Sequence, residues 1–383
     1  MTGYDAIVLG VGGMGSATLY HLARRGRRVL GIEQFSLGHQ FGSSHGLTRI
    51  IRLAYAEHPA YVPLLRRAYE LWREMERVAG ERLMILRGGL DAGPLDDSGL
   101  VAESLRSCRE HGIPHEVLGA AEIARRFPGY RLPAGMAAVY QADGGFVLPE
   151  RSILAHVTAA QALGAEVHGC ERVTEWSASG GGVLVRTDRG AYRAERLIVT
   201  AGAWASQAVP MLGKLAVPER QVMLWTQPLN PALFAPEVFP VFNLEAGEGR
   251  FYGFPVYGAP GFKIGKYHHR GEQADPDRMR RTFDREDEAV LREGVARYFP
   301  EANGPALAMK TCMFTNSPDE HFILDAHPEY AQVSIAAGFS GHGFKFAPVV
   351  GEIMADFAME GGCSRWDLGL FRLARFGGDT GGS

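Results

Sequence analysis

Residues 4–33 read YDAIVLGVGGMGSATLYHLARRGRRVLGIE, and this stretch decides the fold. The apolar run from Tyr4 to Gly10 predicts a strand, the spacing of apolar residues from Met14 to Arg25 predicts a helix, and the run from Arg28 to Ile32 predicts a second strand. Between the first strand and the helix lies Gly10-Val11-Gly12-Gly13-Met14-Gly15, which matches GxGxxG in the context that gives this motif meaning. The stretch therefore predicts a βαβ unit that binds a dinucleotide.

The glycines and the acidic residue of this unit have separate roles. Gly10 makes the tight turn, Gly12 lets the backbone approach a pyrophosphate, and Gly15 permits close packing of the helix on the strand. The helix N-terminus presents free N–H groups and a positive dipole end to the anion. Glu33 closes the second strand, where a carboxylate accepts hydrogen bonds from the ribose and repels a phosphate, so the motif disfavours NADP. The motif alone does not separate FAD from NAD.

Composition favours a small-molecule partner. The net charge of the 383 residues is −3 and positive residues are scattered, which indicates no surface for nucleic acid or anionic membrane. No run approaches the roughly eighteen apolar residues of a membrane span, and the start lacks a basic region followed by an apolar stretch, so we expect a cytoplasmic protein. The four cysteines are far apart, which argues against a disulfide framework and a zinc site.

The order of the apolar runs predicts two lobes. The dinucleotide-binding lobe is expected to be discontinuous, comprising residues 1–85, 146–216 and 316–376. The second lobe, expected to bind the substrate, comprises residues 86–145 and 217–315. The glycine-rich tail, 377–383, is expected to be flexible.

Five further blocks occur in order along the chain: SSHGLTRIIR (43–52), YGFP (252–255), KTCMFT (310–315), PDEHF (318–322) and GFSGHGFK (338–345). Together with residues 4–33, they resemble the monomeric sarcosine oxidases and the related N-methyltryptophan and pipecolate oxidases. The resemblance covers nearly the whole chain. It implies an α/β fold with an FAD-binding doubly wound domain, Rossmann-like and of the glutathione-reductase type, and a mixed-sheet α+β substrate domain.

The resemblance also implies how FAD is held. The flavin is implied to be linked through its 8α-methyl group to the sulfur of Cys312. Backbone N–H groups of Gly341-His342-Gly343 are implied to face the flavin pyrimidine and to stabilise the charge that develops on reduction. His45 and Arg49 match positions near the flavin face, where a cation favours reduced, anionic flavin. The other implied cofactor positions are Gly10, Gly12, Gly13, Met14, Gly15, Glu33, Gln34, Ser43, Ser44, Thr48, Val173, Met313 and Lys345.

Three cations have implied roles toward the reactants. Arg52 and Lys345 match the positions that hold the substrate carboxylate, where an arginine fork gives two charge-assisted hydrogen bonds and a lysine adds a point charge. Lys263 aligns with a lysine that lies over the flavin and activates dioxygen. Only five of the 40 basic side chains are lysine, which supports a specific role for Lys263.

The amine side of the pocket is implied to be shaped by Tyr252 and a histidine. The chain departs from the family here, because Lys266 is an extra residue and His268 and His269 form a pair. The spacing to Asp275 favours His268 as the family equivalent.

The implied reaction converts sarcosine, dioxygen and water to glycine, formaldehyde and hydrogen peroxide, and the implied protein is a monomer. An L-pipecolate or N-methyltryptophan oxidase, or a dehydrogenase that passes electrons to another carrier, remains an alternative. A non-catalytic flavoprotein subunit is an alternative of another class, although a scaffold would not need Arg52, Lys263, Cys312 and Lys345. From the glycine turn alone, an NAD-dependent dehydrogenase is also possible.

Overall fold

The computed structural model describes residues 3–377, so the predicted tail lies outside the described residues apart from Gly377. The strands are β1 (Tyr4–Leu9), β2 (Val29–Ile32), β3 (Arg49–Ile51), β4 (Met84–Leu86), β5 (Gly89–Pro94), β6 (Glu116–Gly119), β7 (Met136–Gln141), β8 (Gly145–Val147), β9 (Glu166–His168), β10 (Val173–Ser179), β11 (Gly182–Thr187), β12 (Ala191–Val199), β13 (Val217–Thr226), β14 (Val241–Ala246), β15 (Gly249–Phe254), β16 (Phe262–Lys266), β17 (Ala306–Asn316), β18 (Ile323–Ala326) and β19 (Val333–Ala337). The α-helices are α1 (Gly13–Arg24), α2 (Tyr61–Ala79), α3 (Gly99–His111), α4 (Ala120–Arg126), α5 (Pro149–Ala162), α6 (Ala205–Ala208), α7 (Arg285–Tyr298) and α8 (Ala347–Glu360).

The first sheet contains the βαβ unit that residues 4–33 predict. Its order is β10-β11-β12-β1-β2-β9, with β19 beside β12 and β18 beside β19. Strand β1 runs parallel to β2 and β12, and β12 runs parallel to β19. The carboxyl ends of these four parallel strands therefore meet at one edge of the sheet, where doubly wound folds bind their ligands.

Helix α1 packs closely on its neighbours. It contacts both α5 and α8. A Cβ on Gly351 of α8 would lie 2.5 Å from the backbone carbon of Ala17, so only glycine allows this approach. The packing holds the N-terminus of α1, and with it the glycine turn, against the sheet.

The second sheet is mixed and eight-stranded, in the order β17-β13-β16-β15-β14-β5-β7-β6. Helix α7 packs against β13 and β16. Leu291 and Val295 of α7 share a buried apolar cluster with Phe251 of β15 and Ile264 of β16. One face of β15 and β16 therefore packs into the core. Their other face carries the residues of the candidate site described below.

A third sheet has three strands, in the order β3-β8-β4. Its strands occur where the chain passes from one of the larger sheets to the other. Strand β3 pairs antiparallel with β8 and carries Arg49 at its start. Strand β4 crosses the boundary predicted at residues 85/86, and β8 crosses the boundary predicted at 145/146. The division into two domains at those boundaries stays a prediction.

The described helices were also compared with the requirements of a membrane span. Within residues 3–377, no helix combines enough length and apolar character to cross a bilayer.

Candidate active site

A cavity with a volume of about 1120 Å³ lies at the carboxyl ends of β1, β2, β12 and β19. Pockets for drug-sized ligands measure about 300–1,000 Å³, so this cavity has room for a dinucleotide. Most of the predicted cofactor positions line it: Gly10, Gly12, Gly13, Met14, Glu33, Gln34, Ser43, Ser44, Arg49, Val173, Met313, Gly341 and Gly343.

The glycine turn requires glycine at its two ends. Gly10 has φ +88°, and a Cβ there would lie 2.7 Å from the carbonyl oxygen of Thr200. A Cβ on Gly15 would lie 1.9 Å from the carbonyl oxygen of Gly10. Gly15 does not line the cavity; it allows α1 to start directly behind the turn, with the helix N-terminus toward the cavity.

Glu33 is fixed in place at the end of β2. Its Oε2 accepts the N–H of Val11 at 3.0 Å and its Oε1 accepts the N–H of Phe35 at 3.0 Å. The carboxylate therefore ties the glycine turn to the second strand while it lines the cavity. This arrangement fits the ribose end of a dinucleotide.

A second, smaller cavity of about 40 Å³ adjoins the first, since Arg49, Phe314, Gly341 and Phe344 line both. Three of the four predicted substrate-binding residues line it, namely Arg52, Tyr252 and Lys345. The tertiary structure thus brings residues from β3, β15 and the segment before α8 together beside the dinucleotide cavity.

The two cations predicted to bind a carboxylate differ in their partners. Arg52 is already paired, with Nε 2.9 Å from Oδ2 of Asp91 and Nη2 3.0 Å from Oε2 of Glu57. Lys345 donates to the carbonyl oxygen of His342 at 2.6 Å, and no carboxylate within residues 3–377 forms an ion pair with it. Burial, together with the nearby charge of Arg52, lowers the pKa of Lys345 to about 7. A buried ammonium without a counter-ion is a favourable place for an incoming anion.

Lys263 is held by the loop before β3. Its Nζ donates to the carbonyl oxygens of Gly46 and Thr48 at 2.7 and 2.9 Å, and to Oγ1 of Thr48 at 3.1 Å. Glu150 holds the same loop by accepting the N–H of Gly46 at 2.6 Å. Burial and the charge of Arg49 place the pKa of Lys263 well below its usual range. Thr48 thus points to Lys263, and neither residue lines a cavity, while the next residue, Arg49, lines both.

Cys312 lies in the middle of β17 and lines the smaller cavity. Its Sγ is 3.6 Å from the carbonyl oxygen of Ser43, a residue of the larger cavity, and 3.6 Å from Nη2 of Arg49. The thiol therefore lies where the two cavities meet, in the electropositive surroundings typical of reactive cysteines.

The prediction that His45 supplies a cation near the flavin needs correction. The ring is 1% exposed, and burial, reinforced by the charge of Arg49, lowers the pKa of His45 to about 3. The imidazole is therefore neutral at physiological pH. Neither ring nitrogen has a hydrogen-bond partner in the described part of the chain, so a bound molecule or water must satisfy them.

The glycine loop presents fewer N–H groups than its sequence predicts. The N–H of His342 donates to the carbonyl oxygen of Phe339 at 3.0 Å, so it is not available to a cofactor. The ring of His342 is also engaged, with Nδ1 2.5 Å from the hydroxyl of Tyr55 and Nε2 2.9 Å from the carbonyl oxygen of Glu320. Gly341 and Gly343 remain as the residues of this loop that line the larger cavity.

The structure places His268 outside the smaller cavity, contrary to its predicted role. Its Nδ1 and Nε2 lie 2.9 Å from Glu219 and 2.9 Å from Glu320, and its side chain is 47% exposed. Tyr267 lines the cavity instead. The physical reason is the extra residue Lys266: side chains alternate along β16, so one added residue turns Tyr267 rather than His268 to the face that carries Lys263.

His268 is expected to stabilise the fold at neutral pH rather than to bind substrate. Its bonds to Glu219 and Glu320 raise the pKa of His268 to about 10, above the unfolded value near 6.5. The stabilisation is therefore full below about pH 6.5 and is lost as pH rises through 10. His268→Gln should lower the free energy of unfolding by about 1 kcal/mol or less, because the cluster is half-exposed.

Thermal unfolding of His268→Gln and the unmodified protein at pH 6, 8 and 10 measures this contribution. The difference between the two melting temperatures should shrink as the pH rises. A difference that grows with pH, or a large change in the KM of the enzyme, would contradict the structural role.

Sequence reasoning missed several residues of the site: Glu57, Asp91, Glu150, Arg250 and Tyr267. The alternation of side chains along a strand was a usable signal for Tyr267 once Lys266 was recognised as an addition. The others have no local signal in the sequence, and all of them except Glu57, which is five residues from Arg52, contact the site from distant elements.

The fold and the two adjoining cavities are those of a dinucleotide-binding protein with a smaller, cation-lined cavity beside the dinucleotide cavity. The family model described as "FAD dependent oxidoreductase" matches residues 5–357. The chain belongs to this FAD dependent oxidoreductase family, and FAD is accordingly its cofactor.

Relatives with assigned names are similar over nearly their full lengths. The monomeric sarcosine oxidase of Streptomyces avermitilis is 44% identical and the alignment covers 96% of each chain. The N-methyl-L-tryptophan oxidase of Salmonella dublin is 36% identical, covering 97% of this chain and 99% of the relative. Among solved structures, NikD, described as an unusual amino acid oxidase essential for nikkomycin biosynthesis, has a TM-score of 0.83 at 27% identity, covering 97% of this chain and 98% of that one. The chain is thus a flavin-dependent oxidoreductase similar to enzymes that act on amino acids.

Proposed function

We propose that this protein oxidises a small secondary amino acid, with sarcosine as the first candidate, and uses dioxygen as the electron acceptor. The observation that carries the proposal is Lys345, a buried cation without an acidic partner among residues 3–377, beside Arg52 in a cavity that adjoins the cofactor cavity. A substrate carboxylate supplies the missing counter-ion. The 44% identity to a monomeric sarcosine oxidase supports both the amine substrate and a monomeric protein.

The residues of the pocket bind and orient the substrate. Lys345 and Arg52 hold the carboxylate, and Tyr252 lies along the substituent on nitrogen. The cations around the pocket lower the pKa of the bound amine, so that it is neutral and no dedicated base is required. Bound FAD would supply the hydride acceptor and the two-electron reduction of dioxygen to hydrogen peroxide. The imine left behind takes up water and, for sarcosine, breaks down to glycine and formaldehyde.

Around the cofactor, the chain contributes charge and a tether. Arg49 is the cation that lines both cavities, and the N–H groups of Gly341 and Gly343 are the donors aimed at negative charge on the reduced cofactor. We further propose that Sγ of Cys312 bonds covalently to the 8α-methyl carbon of FAD: the S–H bond and one C–H bond of the methyl group would be broken, the two electrons would reduce the flavin, and dioxygen would reoxidise it to give hydrogen peroxide. The two-domain division at residues 85/86, 145/146, 216/217 and 315/316 belongs to the same proposal.

The decisive experiment is an absorbance spectrum of the purified protein followed by anaerobic titration with sarcosine, L-pipecolate and N-methyltryptophan. We expect a flavin band in the blue that bleaches with sarcosine and yields formaldehyde and peroxide when air is admitted. Bleaching by N-methyltryptophan alone would favour the second candidate, which the 36% identity to an N-methyl-L-tryptophan oxidase supports. A yellow protein that no amine bleaches would indicate a non-catalytic subunit.

Cys312→Ser is expected to abolish the covalent bond without abolishing FAD binding, since the larger cavity and the glycine turn remain intact. In the unmodified protein, acid precipitation should leave the yellow colour in the pellet and the mass of the chain should include FAD. In the variant the flavin should pass to the supernatant. Cys108→Ser, at a cysteine buried away from both cavities, is the matched control and should keep the flavin in the pellet. Release of flavin from the unmodified protein would overturn the tether.

A further inference from the structure

We propose that Tyr267, held in place by Arg250, forms the wall of the substrate cavity that limits the size of the substituent a substrate carries, so that the enzyme accepts small amino acids with a single carboxylate. The inference rests on the proposed function for the position of the substrate. It assigns the selection of the substrate to a pair of residues that the family motifs do not contain.

Strand pairing places both residues on the face of the sheet that forms the site. In β15 and β16, Phe254 pairs with Lys263 and Tyr252 pairs with Gly265. The N–H of Tyr267 donates to the carbonyl oxygen of Arg250 at 2.8 Å, so these two residues lie opposite each other in the same register. Their side chains therefore point to the same face as those of Tyr252 and Lys263. Lys266, between Gly265 and Tyr267, points to the opposite face, where its Nζ lies 5.9 Å from the ring centroid of Phe251.

The ring of Tyr267 is held from three sides. Its centroid is 5.5 Å from that of Tyr252 and 5.6 Å from that of Phe314, both in the lining of the smaller cavity. The guanidinium of Arg250 lies over the ring, 4.6 Å from its centroid. The ring therefore closes the end of the cavity in a defined position rather than as a mobile side chain.

Arg250 connects this wall to the cation that is proposed to hold the substrate. Its Nη2 lies 3.0 Å from Oε1 of Glu57, and the other oxygen of Glu57 lies 3.0 Å from Nη2 of Arg52. Although burial opposes ionisation, Arg52 and Arg250 hold the pKa of Glu57 well below its usual range, so this bridge is charged. The wall and the carboxylate site thus keep a constant separation.

The charges of Arg52, Arg250, Asp91, Glu57 and Lys345 also set how many substrate carboxylates the smaller cavity can hold. Asp91 balances Arg52 and Glu57 balances Arg250, which leaves Lys345 as the unpaired cation that lines only the smaller cavity; Arg49, which also has no ion pair among the described side chains, lies on the side shared with the cofactor cavity. A single substrate carboxylate neutralises the charge of Lys345. A second carboxylate at the Tyr267 wall, away from Arg49, would be buried without a counter-ion, which is unfavourable.

The test uses the FAD-loaded enzyme and compares ligands of different size. Acetate and phenylacetate carry no oxidisable amine, and their dissociation constants are measured from the change in flavin absorbance. Sarcosine and N-methyltryptophan are compared by kcat/KM. Tyr267→Ala should increase the affinity for phenylacetate relative to acetate, and kcat/KM for N-methyltryptophan relative to sarcosine, by about tenfold or more. A change of even one methylene in the fit of a pocket alters the discrimination between substrates by about this factor or more.

Matched variants separate the wall from general damage. Tyr267→Phe retains the ring and should keep the selection for small ligands. Arg250→Met should relax the selection by a smaller factor, because the ring remains but loses its anchor. Lys266→Ala alters the adjacent residue on the opposite face and should leave both ratios unchanged. If Tyr267→Ala does not fold, Tyr267→Leu removes most of the ring and replaces it in the comparison.

If a folded, flavin-loaded Tyr267→Ala or Tyr267→Leu variant shows unchanged ratios of affinity and of kcat/KM, Tyr267 does not limit the size of the substrate. If the ratios are unchanged in Arg250→Met, Arg250 has no part in this selection. Preference of the unmodified protein for a dicarboxylate such as succinate over acetate would overturn the single-carboxylate rule. The proposed function fails in a different way, namely when no amine bleaches the flavin, and the carboxylate titrations still decide whether the wall exists.

Discussion

Lys263→Met is expected to slow reoxidation of the reduced enzyme by dioxygen by roughly 100-fold or more, the range seen when one preorganised donor is removed from a developing charge. Lys263 is 2% exposed, and although burial lowers its pKa, its Nζ donates to three oxygens of residues 46–48, which is the bonding of the protonated form because a neutral amine has only two N–H donors. A fixed cation of this kind stabilises superoxide as the first electron reaches dioxygen. Reduction of the flavin by the amine in the absence of oxygen should change much less.

The measurement is stopped-flow absorbance in two halves, anaerobic reduction by sarcosine and reoxidation by dissolved oxygen. Lys214→Met is the matched control, because Lys214 is an exposed lysine away from both cavities. Lys263→Arg keeps a cation at the site and should retain part of the oxygen reaction. Equal losses in both halves would contradict a role in oxygen activation and would point to a disturbed pocket.

Lys345→Met is expected to weaken binding of the substrate carboxylate by roughly 10- to 100-fold, since a hydrogen bond to a charged group contributes about 1.5–3 kcal/mol. The same change should leave the free energy of unfolding equal to or above that of the unmodified protein. Lys345 is 4% exposed and has no acidic partner within residues 3–377, so its charge opposes folding. Loss of binding combined with retained or increased stability is the signature of a residue kept for function.

Arg52→Met is the informative contrast to Lys345→Met. It should also weaken carboxylate binding, but it leaves Asp91 and Glu57 buried beside an apolar side chain. Breaking a buried pair in this way costs about 3–5 kcal/mol of stability. Acetate titration and chemical unfolding of both variants measure the two effects. A Lys345→Met protein that is clearly less stable than the unmodified one would contradict the view of Lys345 as an uncompensated cation.

The charge of Lys345 also gives carboxylate binding a pH dependence. With a pKa of about 7 in the free protein, the ammonium is charged below pH 7 and becomes neutral above it. Acetate affinity should therefore fall as the pH rises through about 7, and bound acetate should raise that pKa by linkage. The Lys345→Met variant should lack this dependence.

The fold could be predicted from the sequence because each pattern that indicates a strand or a helix lies within a short stretch of the chain. The βαβ unit follows from residues 4–33, and the structure confirms strand, helix and strand there. Helix α2, from Tyr61 to Ala79, is another example, since its buried apolar residues recur at helical spacing. Periodicity of apolar residues reports which face is buried, and that information is complete within one element.

For the candidate site, some predictions from the sequence agree with the structure and others do not. Cofactor positions near the glycine turn were predicted from the residues themselves, whereas the charge state of His45 and the direction of His268 were wrong. Both errors have tertiary causes: burial beside Arg49 makes His45 neutral, and pairing of β16 with β15 turns Tyr267 to the cavity. A residue type indicates which chemistry is possible, but its surroundings decide its charge and orientation.

By itself, the sequence determined that this protein binds a dinucleotide, because the turn between β1 and α1 tolerates only glycine at Gly10 and Gly15 and this requirement is visible in six consecutive residues. Only the tertiary structure decided which cation is free to bind a substrate. In the sequence, Arg52 and Lys345 are both candidate cations, but in the structure Asp91 of β5 and Glu57, five residues further along the chain, pair with Arg52, whereas none of the described carboxylates pairs with Lys345. Electrostatic balance is a property of side chains that meet in space, so it cannot be read from residues that are distant in the chain.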